Sequence, residues 1–168
     1  IKERKGFIVI TGEVGTGKTT LIHALLAQLE PNVKTALIFN PNLSLKDFFL
    51  LIFDEFELKV AQPTKAHFLI TLNNFLLQIA EKNGNAVIII DEAQNLPLPI
   101  LEEIRLLLNL ETEKSKLLQI VLSGQPELNQ KLNLPKLRQL KQRISIRYHI
   151  PPLNRKETGE YIKSRLLL

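Results

Sequence analysis

Eight consecutive residues, Gly12-Glu13-Val14-Gly15-Thr16-Gly17-Lys18-Thr19, carry the most legible chemistry in this chain. They match G-x-x-x-x-G-K-[ST] in full, between an apolar run and a segment of helical character. Glycines let the backbone curl until successive N–H groups point inward, and that concavity suits phosphate oxygens. A helix starting near Lys18 adds the positive end of its dipole. On this reading Gly12 to Thr20 cradle the phosphates of ATP. Lys18 reaches the β- and γ-phosphates, and the Thr19 hydroxyl is a ligand for Mg2+. A chance Gly-rich turn with an exposed lysine is the competing account, and it leaves the flanks unexplained.

A second constellation is Val87-Ile88-Ile89-Ile90-Asp91-Glu92, an unbroken apolar run ending in two carboxylates. A buried strand would deliver Asp91 at its C-terminal end, where open α/β sheets bind ligands. Asp91 is then placed to hold Mg2+ through a coordinated water. Glu92, one residue on, is placed to polarise the water that attacks a γ-phosphate. Paired carboxylates after a strand are common in loops, so the pair gains its meaning from the loop upstream.

Two further features are weaker. In Ile120-Val121-Leu122-Ser123-Gly124-Gln125, a polar side chain at a strand tip could meet the γ-phosphate or the attacking water. Gln125 is the first candidate and Ser123 the second, while a plain turn before Pro126 accounts for the same residues. Arg138, Arg143 and Arg147 form a basic cluster. An arginine at a subunit edge can stabilise transition-state charge in a neighbour's site. Arg143 is the best placed, Arg138 next, and Arg147 lies within a strand; a solvated basic face is the bland alternative. His23, His67 and His149 lack metal-ligand spacing, so structural roles are favoured. Phe48 and Phe49 read as core, and Asn40, Asn42 and Asn95 as turn residues following strand ends.

These groups need elements to hold them. Continuous apolar runs at Gly6–Ile10, Lys34–Phe39, Ala86–Ile90, Leu117–Leu122 and Ile144–Ile150 predict five strands. Helices are expected over Thr19–Leu29, Leu45–Phe56 with Ser44 and Asp47 as a capping box, and Thr64 to about Lys82. Others are expected over Leu98–Asn109, after Gln125-Pro126, and from Pro135 to Gln142. Pro151-Pro152 breaks the chain, and Asn154 with Glu157 starts a last helix. Alternating strands and helices indicate an α/β domain with a parallel sheet.

Composition narrows the field. With 168 residues and 45% hydrophobic content, the chain suits one domain with a real core. No apolar run approaches the ~18 residues of a membrane helix, and Phe7–Ile10 is too short for a signal peptide. There is no cysteine, so a disulfide scaffold is excluded. The formal charge of +5 permits an acidic partner, with basic residues crowding Lys131–Arg147. Ile1 in first place suggests a piece of a longer protein.

Taken together, Gly12–Thr19, Ile90-Asp91-Glu92-Ala93-Gln94, Ser123-Gly124-Gln125-Pro126-Glu127-Leu128 and Leu140-Lys141-Gln142-Arg143-Ile144 resemble the AAA+ ATPases of the ExeA/GspA kind. These are general secretion pathway ATPases with relatives in pilus biogenesis, and the resemblance spans nearly the whole chain. It implies a P-loop NTPase core, with a five-stranded parallel sheet in the order 5-1-4-3-2. The core would occupy residues 1–150, and residues 151–168 would begin a truncated helical lid. It also implies self-association, with Arg143 acting on a neighbouring subunit. The lid's second sensor arginine cannot be assigned, because Arg165 comes too early.

Three functions follow as expectations. The first is ATP hydrolysis powering assembly or remodelling of an envelope partner in a type II secretion or pilus system. The setting would be cytoplasmic, at the inner face of the inner membrane through the full-length protein. The alternative is an ATP-dependent DNA-binding regulator of the transposition-ATPase kind, which shares the Asp-Glu-Ala-Gln box. A slow nucleotide switch is the third, and the intact Glu92 argues against it.

Overall fold

Apolar runs without alternation suit strands covered on both faces, and the two strands at the centre of the molecule show why. The computed structural model describes residues 5–39, 42–59, 64–112 and 116–166. Its strands are β1 (Phe7–Gly12), β2 (Val33–Ile38), β3 (Asn85–Ile90), β4 (Leu118–Gly124) and β5 (Ile146–Ile150). Every residue of β3 and β4 is buried, whereas β5 is largely exposed along the sheet edge. The sheet order is β2-β3-β4-β1-β5, parallel throughout, as the family resemblance implied.

The helices are α1 (Lys18–Ala27), α2 (Leu45–Glu55), α3 (Lys65–Glu81), α4 (Leu98–Leu107), α5 (Glu127–Leu132), α6 (Arg138–Lys141) and α7 (Arg155–Leu166). Short 3-10 turns at Ala93–Asn95 and Pro135–Leu137 complete the set. Side chains of a strand alternate between faces, so the inner strands feed two cores. Ile88, Ile90, Ile120 and Leu122 join Phe7, Val9 and the apolar sides of α2 to α6 in the larger core. Val87, Ile89 and Val121 meet Ile22 of α1 in the smaller one. Phe49 stacks on Phe68 at 5.1 Å and Phe53 meets the same ring edge-on at 5.0 Å, so the paired aromatics are core.

Helix starts follow the expected caps. The Asp47 N–H donates to Ser44 Oγ at 3.2 Å, and the His67 N–H to Thr64 Oγ1 at 3.3 Å. Asn154 and Glu157 cap reciprocally: the Asn154 N–H donates to Glu157 Oε2 at 2.8 Å, and the Glu157 N–H to Asn154 Oδ1 at 3.0 Å. The helix that opens there, α7, buries none of its residues. Strand and helix ends fall within about two residues of their sequence-based positions in most cases, the usual scatter of such limits. Asn40 lies outside the described residues.

Candidate nucleotide site

In a parallel sheet every strand points the same way, so the C-terminal ends of β1, β3 and β4 lie side by side. The loop after β1 runs straight into α1. Gly15 (φ 80°) and Gly17 (φ 86°) hold left-handed backbone there, which a side chain would strain. Gly17 caps α1 without a side chain, so the N–H groups of the first helical turn have no intrahelical acceptor. Lys18 is only 6% exposed, and its Nζ folds back to donate to Gly12 O at 2.9 Å and Glu13 O at 2.8 Å. The ammonium thus ties the two ends of the curl together and leaves the loop's concave side for anions.

Thr19 and Asp91 lie 72 residues apart, and the fold joins them. Thr19 Oγ1 donates to Asp91 Oδ2 at 2.6 Å, and Asp91 is 2% exposed. A hydroxyl beside a carboxylate next to a phosphate cradle fits Mg2+, which takes few protein oxygens and keeps several waters. Glu92 follows in left-handed backbone (φ 52°, ψ 36°), a conformation that costs a non-glycine residue about 1–3 kcal/mol. The twist turns the carboxylate off the strand line and into a cleft of 980 Å³.

Residues 14–21 line that cleft together with Glu92 and Gln125. Tyr148, Ile150, Leu153 and Tyr161 give the cleft an apolar lining. Gly12 and Glu13 stand behind the loop as acceptors for Lys18. The two sensor candidates separate cleanly. Gln125 lines the cleft, whereas Ser123 is fully buried in β4, level with Ile10 of β1. Arg143 lines a different, 200 Å³ pocket with Gly6, Phe7 and Lys116, at the start of β1. At ~3.3 Å per residue the length of β1 puts it about 16–20 Å from the loop. Lys116 holds the nearby Glu111 carboxyl below the usual carboxylate range, and Arg143 adds a smaller pull.

The histidines have structural partners. His149 Nδ1 lies 3.2 Å from Thr11 Oγ1, His67 Nδ1 lies 3.1 Å from Thr64 Oγ1, and His23 packs near Phe39. Asn42 and Asn95 are exposed.

Sequence reasoning missed the apolar lining and two polar residues. Tyr148 and Tyr161 gave no local signal, since a partly alternating strand and a polar helix do not reveal what they face. Gln94 sits two residues after Glu92 and bonds to it. Lys131, counted in the basic stretch, points inward: its Nζ donates to the backbone oxygens of Gln94 and Leu96, the latter at 2.9 Å. Burial pushes its pKa below the ordinary lysine value. Lys131→Met keeps the stem but leaves those carbonyls unpaired. Its expected cost is about 1.5–3 kcal/mol, the range for hydrogen bonds to a charged group, checked by urea unfolding at fixed m-value.

A parallel α/β sheet with a phosphate-binding loop after its first strand, and an acidic pair two strands away, defines a P-loop nucleotide-binding domain. The family model described as "AAA domain" matches residues 1–132, and the chain belongs to that family of ATPases. It is similar to General secretion pathway protein A of Aeromonas hydrophila, 45% identical over 167 residues. That match takes in 99% of this chain but 30% of the relative, so the chain spans under a third of that protein's length. Among solved structures, the Drosophila ORC bound to DNA superposes with TM-score 0.70 at 23% identity, over 94% of this chain and 40% of that one. The Aeropyrum pernix ORC2 protein in its ADP form gives TM-score 0.68 at 20% identity, over 95% and 46%. The Thermotoga maritima RuvB Holliday junction branch migration motor gives 0.58 at 20% identity, over 96% and 44%. At these identities the likeness speaks for the fold. Among the described residues, no helix is long and apolar enough to cross a membrane.

Proposed function

We propose that this cleft binds Mg2+-ATP and hydrolyses it within an oligomer, delivering the work to an envelope component of a type II secretion or pilus system. The observation that carries the reading is the Thr19–Asp91 contact at 2.6 Å, beside the Lys18 loop and with Glu92 turned into the same cleft. Thr19 and Asp91 are the residues that would hold Mg2+, which supplies charge neutralisation at the β- and γ-phosphates. Loop N–H groups and Lys18 bind the phosphates. Glu92 accepts a proton from the attacking water, and Gln125 donates a hydrogen bond to the γ-phosphate or that water. Tyr148, Leu153 and Tyr161 offer the base an apolar, aromatic surface.

The secretion setting rests on the similarity to General secretion pathway protein A, and with it a cytoplasmic site of action at the inner membrane. Residues 151–168 then begin a helical lid, in keeping with the exposure of α7. Arg143 belongs to a trans site, because its own chain's loop lies the length of β1 away. Arg143→Ala is expected to lose activity alone and to regain part of it when mixed with Lys18→Ala, each variant supplying what the other lacks. Steady-state phosphate release from the mixture checks this; a mixture as inactive as its components makes Arg143 structural.

Exposed Lys136, Arg138 and Lys141 favour a second reading, a DNA-binding regulator. Turnover of the full-length protein with and without duplex DNA separates the two. The secretion reading expects no stimulation. Stimulation that falls steeply with salt, and disappears when Lys136 and Lys141 are reversed in charge, would put the DNA reading in front.

A further inference from the structure

Gln94 makes three polar contacts that the nucleotide reading does not use. Its Nε2 donates to Glu92 Oε2 at 2.6 Å, and its Oε1 accepts the Gln125 N–H at 3.0 Å. The Lys131 ammonium bonds its backbone oxygen, so the side chain springs from an anchored residue. A carboxylate on one side and an N–H on the other leave the amide one orientation. Gly124 completes the arrangement: a Cβ there would stand 2.7 Å from Gln94 Oε1, so a larger residue would make that amide shift away from its present contact. Gln125 Nε2 lies 3.4 Å from the same Glu92 oxygen and closes the circuit loosely.

From this geometry we propose that Gln94 is the positioning residue of the base. It holds Glu92 Oε2, leaves Oε1 to accept from water, and ties that carboxylate to the end of β4, where Gln125 meets the nucleotide. No covalent step is assigned to it. The proposal rests on the reading of Glu92 as the general base. A side chain that only closed the turn at Ala93–Asn95 would have no reason to bond the carboxylate at one end and the β4 tip at the other.

The test uses three variants of the full-length protein: Gln94→Ala, Gln94→Glu and Gly124→Ala. All three are expected to lower kcat about 10- to 100-fold, as small displacements of a reacting group do, with the KM for ATP unchanged. In nucleotide-free protein, amide exchange of the Gln125 N–H should accelerate in Gln94→Ala. It should stay protected in Gln94→Glu, which keeps the acceptor but loses the donor. Wild-type kcat in Gln94→Ala beside an inactive Glu92→Gln overturns the proposal and spares the base. A loss that appears in KM, or Gln94→Glu as active as wild type, also overturns it. Wild-type turnover in Glu92→Gln removes the base reading and the proposal with it.

Discussion

Glu92→Gln is expected to bind ATP with wild-type affinity and turn it over about 10²- to 10⁴-fold more slowly, the range that a positioned general base contributes. The amide keeps the shape of the carboxylate, and its oxygen can still accept from Gln94 Nε2. What it then turns toward the water is an NH2 donor where an acceptor is required. The left-handed backbone at residue 92 (φ 52°) is expected to persist, since the substitution changes neither the backbone nor the size of the side chain. Binding is preserved since Lys18, Thr19 and Asp91 are untouched. Single-turnover hydrolysis and titration with a fluorescent ATP analogue read the two quantities separately. A variant that hydrolyses at the wild-type rate sinks the assignment.

Lys18→Ala is the complementary case, with binding lost. Lys18 is only 6% exposed, and on the proposed reading its ammonium would meet the phosphates from inside the loop it closes. Removing one partner of a desolvated charge pair costs ~2–5 kcal/mol, roughly 30- to 4,000-fold in Kd. The carbonyls of Gly12 and Glu13 would also lose the cation that bonds them. Isothermal titration of the nucleotide measures the total, and the unfolding midpoint of the free protein shows whether the loop alone is affected. Wild-type affinity in this variant would remove the loop from the reading. The two variants differ in binding: one keeps it and loses only turnover, the other loses both.

Much of the site was legible because its chemistry is contiguous. Gly15 and Gly17 announce left-handed backbone by their type alone, and Lys18-Thr19 follow them on the first turn of a helix. Val87–Ile90 read as the most strand-like run in the chain, which placed Asp91 and Glu92 at a strand's end, and the structure has them there. Gln125 ranked ahead of Ser123 in the sequence, but local pattern alone could not separate either from a plain turn. Both follow an apolar run, and the choice depends on where β4 leaves the sheet. The strand continues through Gly124, which keeps Ser123 inside and releases Gln125 into the cleft.

The sequence by itself determined the element types, the Gly-rich loop and the acidic pair, because each depends on residues within a few positions of one another. Tertiary structure decided which of these meet. Thr19 touches Asp91 only because β4 lies between β1 and β3 in a parallel sheet, which sets their C-terminal ends on one rim. The same topology sends Arg143 to the opposite rim, where it lines a pocket with the first residues of β1. It turns Lys131 from a surface charge into a clamp on the backbone of Gln94, and brings Gln94 between Glu92 and Gln125. Periodicity reports which face of an element is apolar; what that face packs against is set by strand order, and strand order is a property of the whole chain.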